Sequence, residues 1–253
     1  MIFCTDLDNT LIYSYRRAMP DEKRCVEWYE GREVSFLSEK TYEGLRKIEE
    51  KMLIVPVTTR TEEQYQRINL GIRPFAYALV CNGGVLLRDG KEEKSWYYQS
   101  LELVKEALDE LNKAEQVLEQ DIRRSFEIRN IRNLFLFTKS NDATGTINDL
   151  KKRLNLSKVD VFSNGVKVYV VPKQLNKGMA IQRFKKYIGN RKIIAAGDSL
   201  FDIPMLEEAE VGLAPRGLLD EEADNKGIQI LDKEELFSEQ IVEILEEIGI
   251  NCG

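Results

Sequence analysis

The sequence predicts an α/β protein: a doubly wound core on a parallel sheet, interrupted by an α+β insert. Three observations predict it. Short apolar runs of about four residues recur along the chain, helical patterns separate several of them, and the middle third switches to hairpin signals. Continuous apolar runs mark strands covered on both faces, as in a parallel sheet, and the helices between them supply the crossovers that such a sheet needs.

The runs are Ile2-Phe3-Cys4, Leu53 to Val57, Ala78 to Cys81, Ile193 to Ala196 and Val211 to Ala214. Helices are expected over 39–51, 62–70, 177–188 and 233–249, the last with Leu236, Phe237, Ile241, Ile244, Leu245 and Ile248 on one face. A small hairpin is expected from Val26 to Phe36 around Glu30-Gly31. The middle reads differently. Val85-Leu86-Leu87, a turn at Arg88 to Lys91 and Ser95 to Tyr98 form a hairpin signal. A helix carrying Leu101, Val104, Leu108 and Leu111 follows, then a strand (Asn133 to Thr138), a helix (143–155), and a strand pair, Val159 to Phe162 and Val166 to Val171, around Asn164-Gly165. The expected division is a core of residues 1–83 and 173–253 with an insert of 84–172.

Composition narrows the function. None of the 253 residues is histidine. That excludes Ser-His-Asp and Cys-His catalysis and imidazole-bound zinc. The net charge of −6 argues against a nucleic-acid binder, which needs a basic face. No stretch reaches the roughly 18 apolar residues of a membrane span, and the start, MIFCTDLDNT, does not read as a signal peptide. Cys4, Cys25, Cys81 and Cys252 show no C-x-x-C spacing and read as thiols in a reducing cytoplasm.

Four polar segments sit where strands end or helices begin. They are Asp6-Leu7-Asp8-Asn9-Thr10, Thr58-Thr59-Arg60, Asn176-Lys177-Gly178 and Gly197-Asp198-Ser199-Leu200-Phe201-Asp202. Each has an ordinary reading alone: Asp-x-Asp as a turn, the threonines as caps, Lys177 as a solvated lysine. Together they point to one crevice, because ligands of open α/β sheets bind beyond the carboxyl ends of the strands. Asp6, Asp8, Asp198 and Asp202 in one place would repel each other and a phosphate. Two unit charges 4 Å apart cost about 4 kcal/mol at an effective dielectric near 20. The cluster therefore implies a hard divalent cation, and Mg²⁺ suits carboxylate oxygens beside phosphate.

In these motifs the chain resembles the haloacid dehalogenase-like (HAD) superfamily of aspartate-nucleophile phosphohydrolases. It most resembles the Cof-like and sucrose-phosphate-phosphatase-like group, which carries an α/β cap between its second and third motifs. Asp6, Asp8 and Thr10 match the first motif, Thr58 or Thr59 the second, Lys177 the third, and Asp198 and Asp202 the fourth. Asn82-Gly83 matches a dipeptide common at the end of strand three in cap-bearing relatives. The second motif departs from the usual Thr-Gly-Arg by reading Thr-Thr-Arg.

The resemblance implies a Rossmann-like core with an inserted cap. It also implies a cytoplasmic, Mg²⁺-dependent phosphomonoester hydrolase acting on a small phosphorylated metabolite, such as a sugar phosphate, as monomer or homodimer. Asp6 is the implied nucleophile and Asp8 the implied acid/base, held protonated for the first step by its neighbours. The Asp6 carboxylate, the Asp8 carbonyl and Asp198 would hold the metal, with Asp202 behind them. Thr58 and Lys177 would bind phosphoryl oxygens, with Thr59, Arg60 and Asn82 lining the substrate site. A phosphomutase and a non-catalytic phosphate-binding scaffold are the alternatives. In the insert, Arg123, Arg124, Arg129 and Arg132 read as an anion clamp or a solvated face, and Trp96, Tyr97 and Tyr98 as a sugar platform or sheet packing. Tyr13, Tyr15, Arg16 and Arg17 read as substrate contacts or packing.

Overall fold

The computed structural model describes residues 1–219, 227–232 and 234–251, the last three by their backbone alone. The elements begin with β1 (Ile2–Thr5), β2 (Tyr13–Ser14), β3 (Lys23–Tyr29), β4 (Arg32–Ser38), α1 (Glu39–Ile48), β5 (Leu53–Pro56), α2 (Glu62–Tyr65), β6 (Tyr77–Val80), β7 (Val85–Arg88) and β8 (Lys91–Glu92). Next come α3 (Lys94–Val104), α4 (Leu108–Glu119), β9 (Arg129–Ile131), β10 (Phe135–Lys139), α5 (Ala143–Arg153), β11 (Val159–Asn164) and β12 (Lys167–Pro172). The chain ends with α6 (Lys177–Ile188), β13 (Ile193–Ala196), α7 (Ile203–Glu208), β14 (Val211–Pro215), β15 (Ile228–Leu231) and α8 (Phe237–Asn251).

Two compact units result, Met1–Glu92 with Lys177–Gly253, and Glu93–Asn176. In the first, five strands form a parallel sheet in the order β15-β14-β13-β1-β5. A bridge from Val57 to Leu79 adds β6 beyond β5. Phe3, Ile54, Ile194 and Leu213 pack into one cluster with Leu45 and Ile48 of α1 and Ile241 and Leu245 of α8. The neighbours along each strand, Cys4, Val55, Ala195 and Ala214, are also buried and point to the other face, because strand side chains alternate. There α7 packs on β13 and β14, and α6 packs on α7. Burial on both faces is why these strands read as unbroken apolar runs.

The chain reverses direction across this sheet between β1 and β13. From β1 it proceeds outward to β5, and after the insert it returns through α6 to β13, on the other side of β1. The crevice at such a reversal is the ligand position of open α/β sheets. A second, antiparallel sheet, β2-β4-β3, rises after β1. Its turn at Glu30 and Gly31 has φ of 50° and 74°, the backbone of a tight hairpin, and Gly31 takes it without a Cβ clash.

The inserted unit carries the antiparallel sheet β11-β12-β10-β9. Leu111, Ala114 and Leu118 of α4 and Leu150 of α5 cover one face through Leu136, Val161, Val168 and Val170. On the sheet, Phe137, Tyr169 and Phe162 lie ring to ring, with centroids 5.7 and 5.9 Å apart.

Several expectations need correction. The insert does not start at 84 or end at 172. Residues Val85–Arg88 pair antiparallel with β6, so they belong to the first unit, and the second spans Glu93–Asn176. Ser95 to Tyr98 is helix, not strand: Trp96, Ser100 and Val104 are its buried face, and this spacing overrides the β preference of Trp-Tyr-Tyr. The helix expected over 62–70 stops at Tyr65, because the following segment pairs with β3 through Ile68 and Glu27. Strands β9 and β15 were not expected. Residue 233, in the last expected helix, and Cys252 lie outside the described residues. Among the described residues no helix is long and apolar enough to cross a membrane.

Candidate active site

The carboxyl ends of β1 and β13 are tied together by the backbone: the Asp6 N–H donates to Ala196 O at 2.9 Å. This register sets the Asp6 side chain beside the loop that begins at Gly197. In that loop Asp202 is fully buried. Its Oδ2 accepts from the N–H groups of Asp198 and Ser199 at 3.1 and 2.9 Å and from the Ser199 hydroxyl at 2.7 Å. The turn closes only over a glycine, since a Cβ on Gly197 would lie 2.2 Å from the Cβ of Asp202.

Lys177, the first residue of α6, reaches the same point. Its side chain is 1% exposed, and Nζ lies 2.8 Å from Asp6 Oδ1 and 2.5 Å from Asp202 Oδ1. The next residue, Gly178, lets α6 approach α7, because a Cβ there would meet Pro204 O at 2.4 Å. Asp198 completes the cluster, its Oδ1 accepting from the Thr10 hydroxyl at 3.1 Å. One oxygen from each of Asp6, Asp198 and Asp202 lies within 4.8 Å of the other two. Thus three of the four sequence segments converge at the sheet's reversal point.

Three carboxylates against one ammonium leave negative charge in a nearly closed site. Burial raises the Asp6 pKa well above the usual carboxylate range; Lys177 opposes this, and Asp202, Asp8 and Asp198 add to it. Asp198 is raised to about 6, first by burial and then by Asp202. Lys177 is held charged: burial works against it, and Asp202 and Asp6 outweigh burial. Three oxygen donors with surplus negative charge are the chemistry of a hard divalent cation site.

The second segment follows β5 and is tied in by its own hydrogen bonds. Thr58, at the end of β5, is buried; its N–H donates to Leu79 O, its carbonyl accepts from the Asn82 N–H, and its hydroxyl accepts from the Arg60 N–H. Thr59 is half-buried beside it. The Arg60 guanidinium is taken up by two carboxylates. Its Nε and Nη2 donate to the two oxygens of Asp8, both at 2.7 Å, and Nη1 and Nη2 donate to the two oxygens of Glu27, both at 2.9 Å. The carboxylate of Asp8 is not one of the three in that cluster, and both its oxygens are engaged by a guanidinium. Burial works against the charge on Arg60, and Asp8 and Glu27 outweigh it.

Other candidates have structural partners. Tyr13 is buried, its hydroxyl accepting from Ser238 N at 3.0 Å, and Arg17 lies over its ring. In the inserted unit Arg123 is paired with Asp121 and Asp149, Arg124 donates to the carbonyls of Leu118 and Phe126, and Arg132 lies 4.0 Å from the Tyr97 ring centroid. Glu27 was missed. Nothing marks it in a strand of mixed polarity, and only the register of β3 reveals its direction.

Residues 91–215 match the family model of the haloacid dehalogenase-like hydrolases. No curated protein matches the sequence. Solved structures match over almost the whole chain at low identity. The sucrose-phosphatase of Synechocystis sp. PCC6803, solved with sucrose and phosphate, is 15% identical with a TM-score of 0.61, covering 98% of this chain and 97% of its own. A haloacid dehalogenase-like hydrolase from Bacteroides thetaiotaomicron is 16% identical with a TM-score of 0.59, covering 98% of each chain. A trehalose-6-phosphate phosphatase related protein is 15% identical with a TM-score of 0.56, covering 100% of each. These likenesses in fold also cover the segments outside the family match, Asp6 and Asp8 among them. Residues 91–215, just under half of the chain, thus resemble the haloacid dehalogenase-like hydrolases, and almost the whole chain shares the fold of these solved structures.

Proposed function

We propose that the protein is a Mg²⁺-dependent phosphomonoester hydrolase acting on a small phosphorylated metabolite through an aspartyl-phosphate. The observation that carries this reading is the contact of Lys177 with Asp6 inside a cluster that also holds Asp198 and Asp202. A buried carboxylate next to a fixed ammonium is a nucleophile with a cation beside it for the oxygens of the phosphoryl group it attacks.

Three carboxylate donors fit a small hard cation, and Mg²⁺ held by Asp6 and Asp198, with Asp202 behind them, would neutralise the site and polarise the phosphoryl oxygens. The remaining chemistry falls to the chain's own residues. Asp6 attacks phosphorus; the P–O bond to the leaving alcohol breaks as the bond to the Asp6 oxygen forms. No histidine is needed, since an ionised carboxylate requires no base to activate it. Asp8, two residues on, gives a proton to the departing alcohol and later takes one from the water that releases phosphate. Thr58, with Asn82 bonded to its backbone, and Lys177 bind non-bridging oxygens. Thr10 fixes Asp198.

Two of the similar structures carry sugar-phosphate phosphatase names, which supports a phosphorylated sugar as substrate. The test is a phosphate-release screen over metabolite phosphates, sugar phosphates first, with Mg²⁺ and with excess chelator. Release that needs Mg²⁺ and disappears in Asp6→Asn is expected. Release that persists in chelator, or in Asp6→Asn, contradicts the reading.

A further inference from the structure

We infer that Glu27, a residue of the hairpin β3–β4 remote in sequence from every motif, is a positioning residue that acts on Asp8 through Arg60. This rests on the reading of Asp8 as the acid that protonates the leaving group.

The geometry is an alternating chain of charges. Asp8 is bonded at both oxygens to one edge of the Arg60 guanidinium, and Glu27 is bonded at both oxygens to a second edge of the same plane. Two bidentate contacts on adjacent edges of a rigid fork leave the guanidinium no free rotation. Glu27 is itself fixed. Ser35 Oγ donates to its Oε2 at 2.7 Å, Arg67 donates to Oε1 at 3.1 Å, and its side chain is only 4% exposed. Asp8, by contrast, is 48% exposed at its side chain and has Arg60 as its ion-pair partner. The orientation of a half-exposed carboxylate is thus set from a buried anchor behind it.

Glu27 points inward because β3 is irregular there. The pairing of β3 with β4 shifts register between Cys25 and Glu27 and again between Glu27 and Trp28. A bulge re-aims side chains, and strand bulges concentrate beside active sites. Val26 O accepts from Asn69 N at 2.8 Å, which ties the bulge to the segment carrying Arg67. Stability alone does not account for the arrangement. A buried ion pair is weak as a stabilising device, since a well-packed apolar pair of similar volume often does as well. What the pair adds is direction: a planar support holding Asp8 two residues from the nucleophile.

The experiment separates aim from folding by the leaving group. An acid matters most when the leaving alcohol is a poor one and least when it departs as a stabilised anion. Wild type, Glu27→Gln, Glu27→Ala, Asp8→Asn and the double variant Glu27→Gln/Asp8→Asn are assayed with Mg²⁺ on an alkyl phosphate and on p-nitrophenyl phosphate, with thermal melts of each. Glu27→Gln is expected to lose roughly 100-fold in kcat on the alkyl ester, the scale of a misplaced catalytic group, with KM little changed. Its loss on the nitrophenyl ester is several-fold, and the double variant is no worse than Asp8→Asn, since both changes remove the same function. Should Glu27→Ala fail to fold, the isosteric Gln variant retains the test.

A Glu27→Gln loss equal on both esters, or one that adds fully to that of Asp8→Asn, overturns the positioning role while leaving the proposed reaction standing. Asp8→Asn losing equally on both esters removes the acid role and the inference with it. A wild-type protein that releases no phosphate from either ester or from the metabolite panel overturns the function itself.

Discussion

The Lys177 ammonium lies 2.5 Å from Asp202 Oδ1, and both side chains are essentially sealed from solvent. This pair sits behind the nucleophile candidate Asp6, which the same Nζ touches. Removing the lysine leaves three carboxylates facing one another with no cation among them. Breaking one side of a buried ion pair costs about 3–5 kcal/mol. Lys177→Met is therefore expected to lower metal-free stability by about that much and to abolish phosphate release. Mg²⁺ should recover more stability in the variant than in the wild type, because a divalent cation can take over the lost charge. Denaturant melts with and without Mg²⁺ measure this; an unchanged metal-free midpoint would count against the pair.

The Asp202 turn rests on a glycine. The methyl group of Gly197→Ala would lie 2.2 Å from Asp202 Cβ and 2.4 Å from its carboxyl carbon. Neither atom is the far end of a flexible chain, so Asp202 must move. Overpacking of this kind costs about 1–3 kcal/mol. The variant should melt lower and respond less to Mg²⁺, since a cluster oxygen is displaced. Calorimetry with and without Mg²⁺ checks both; a variant that melts with the wild type and keeps its full Mg²⁺ response refutes the account.

Metal binding at this site should depend on pH in a definite direction. Burial and neighbouring carboxylates raise Asp198 from 3.8 to about 6 and raise Asp6 as well. A carboxylate raised in the fold stabilises the metal-free protein below its unfolded value and loses that contribution as pH climbs through its folded value. Metal needs the anions, so protons compete with it below about pH 6. The rise in melting temperature on adding Mg²⁺ is expected to be large at pH 8 and small at pH 5. Melts across that range decide; an equal rise at both ends would mean that the ion sits elsewhere.

Much of this was legible in the sequence, for physical reasons. Burial on both faces writes a parallel strand as a plain apolar run, so β1, β5, β6, β13 and β14 are visible within a residue or so. The polar residues that follow such runs, Asp6, Asp198 and Asp202 among them, are confined to one end of the sheet, and the helix leading into β13 begins with Lys177 beside them. What escaped depends on register or on competing faces. Glu27 looks like any charged strand residue until a bulge turns it inward. Trp96 belongs to a helix because its partners at Ser100 and Val104 are buried with it. Strand β15 is a short edge in which Gln229 is exposed between two half-buried isoleucines, too slight a pattern to stand out.

Substituting Asp6 distinguishes a catalytic carboxylate from a structural one. In the metal-free protein its ionised form is disfavoured, burial being the largest cause and Lys177 offsetting only part of it. By the same linkage, replacing it with an uncharged side chain of equal shape removes a charge that the fold bears at a cost near neutral pH. Asp6→Asn is therefore expected to melt no lower than wild type at pH 8 without metal, while phosphate release is abolished and the Mg²⁺-dependent rise in melting temperature shrinks. A structural residue would behave the opposite way: its loss would destabilise the fold and impair turnover only in proportion. Phosphate-release assays and melts on the same preparation are the measurement, and a variant that unfolds early yet turns over substrate would reverse the assignment.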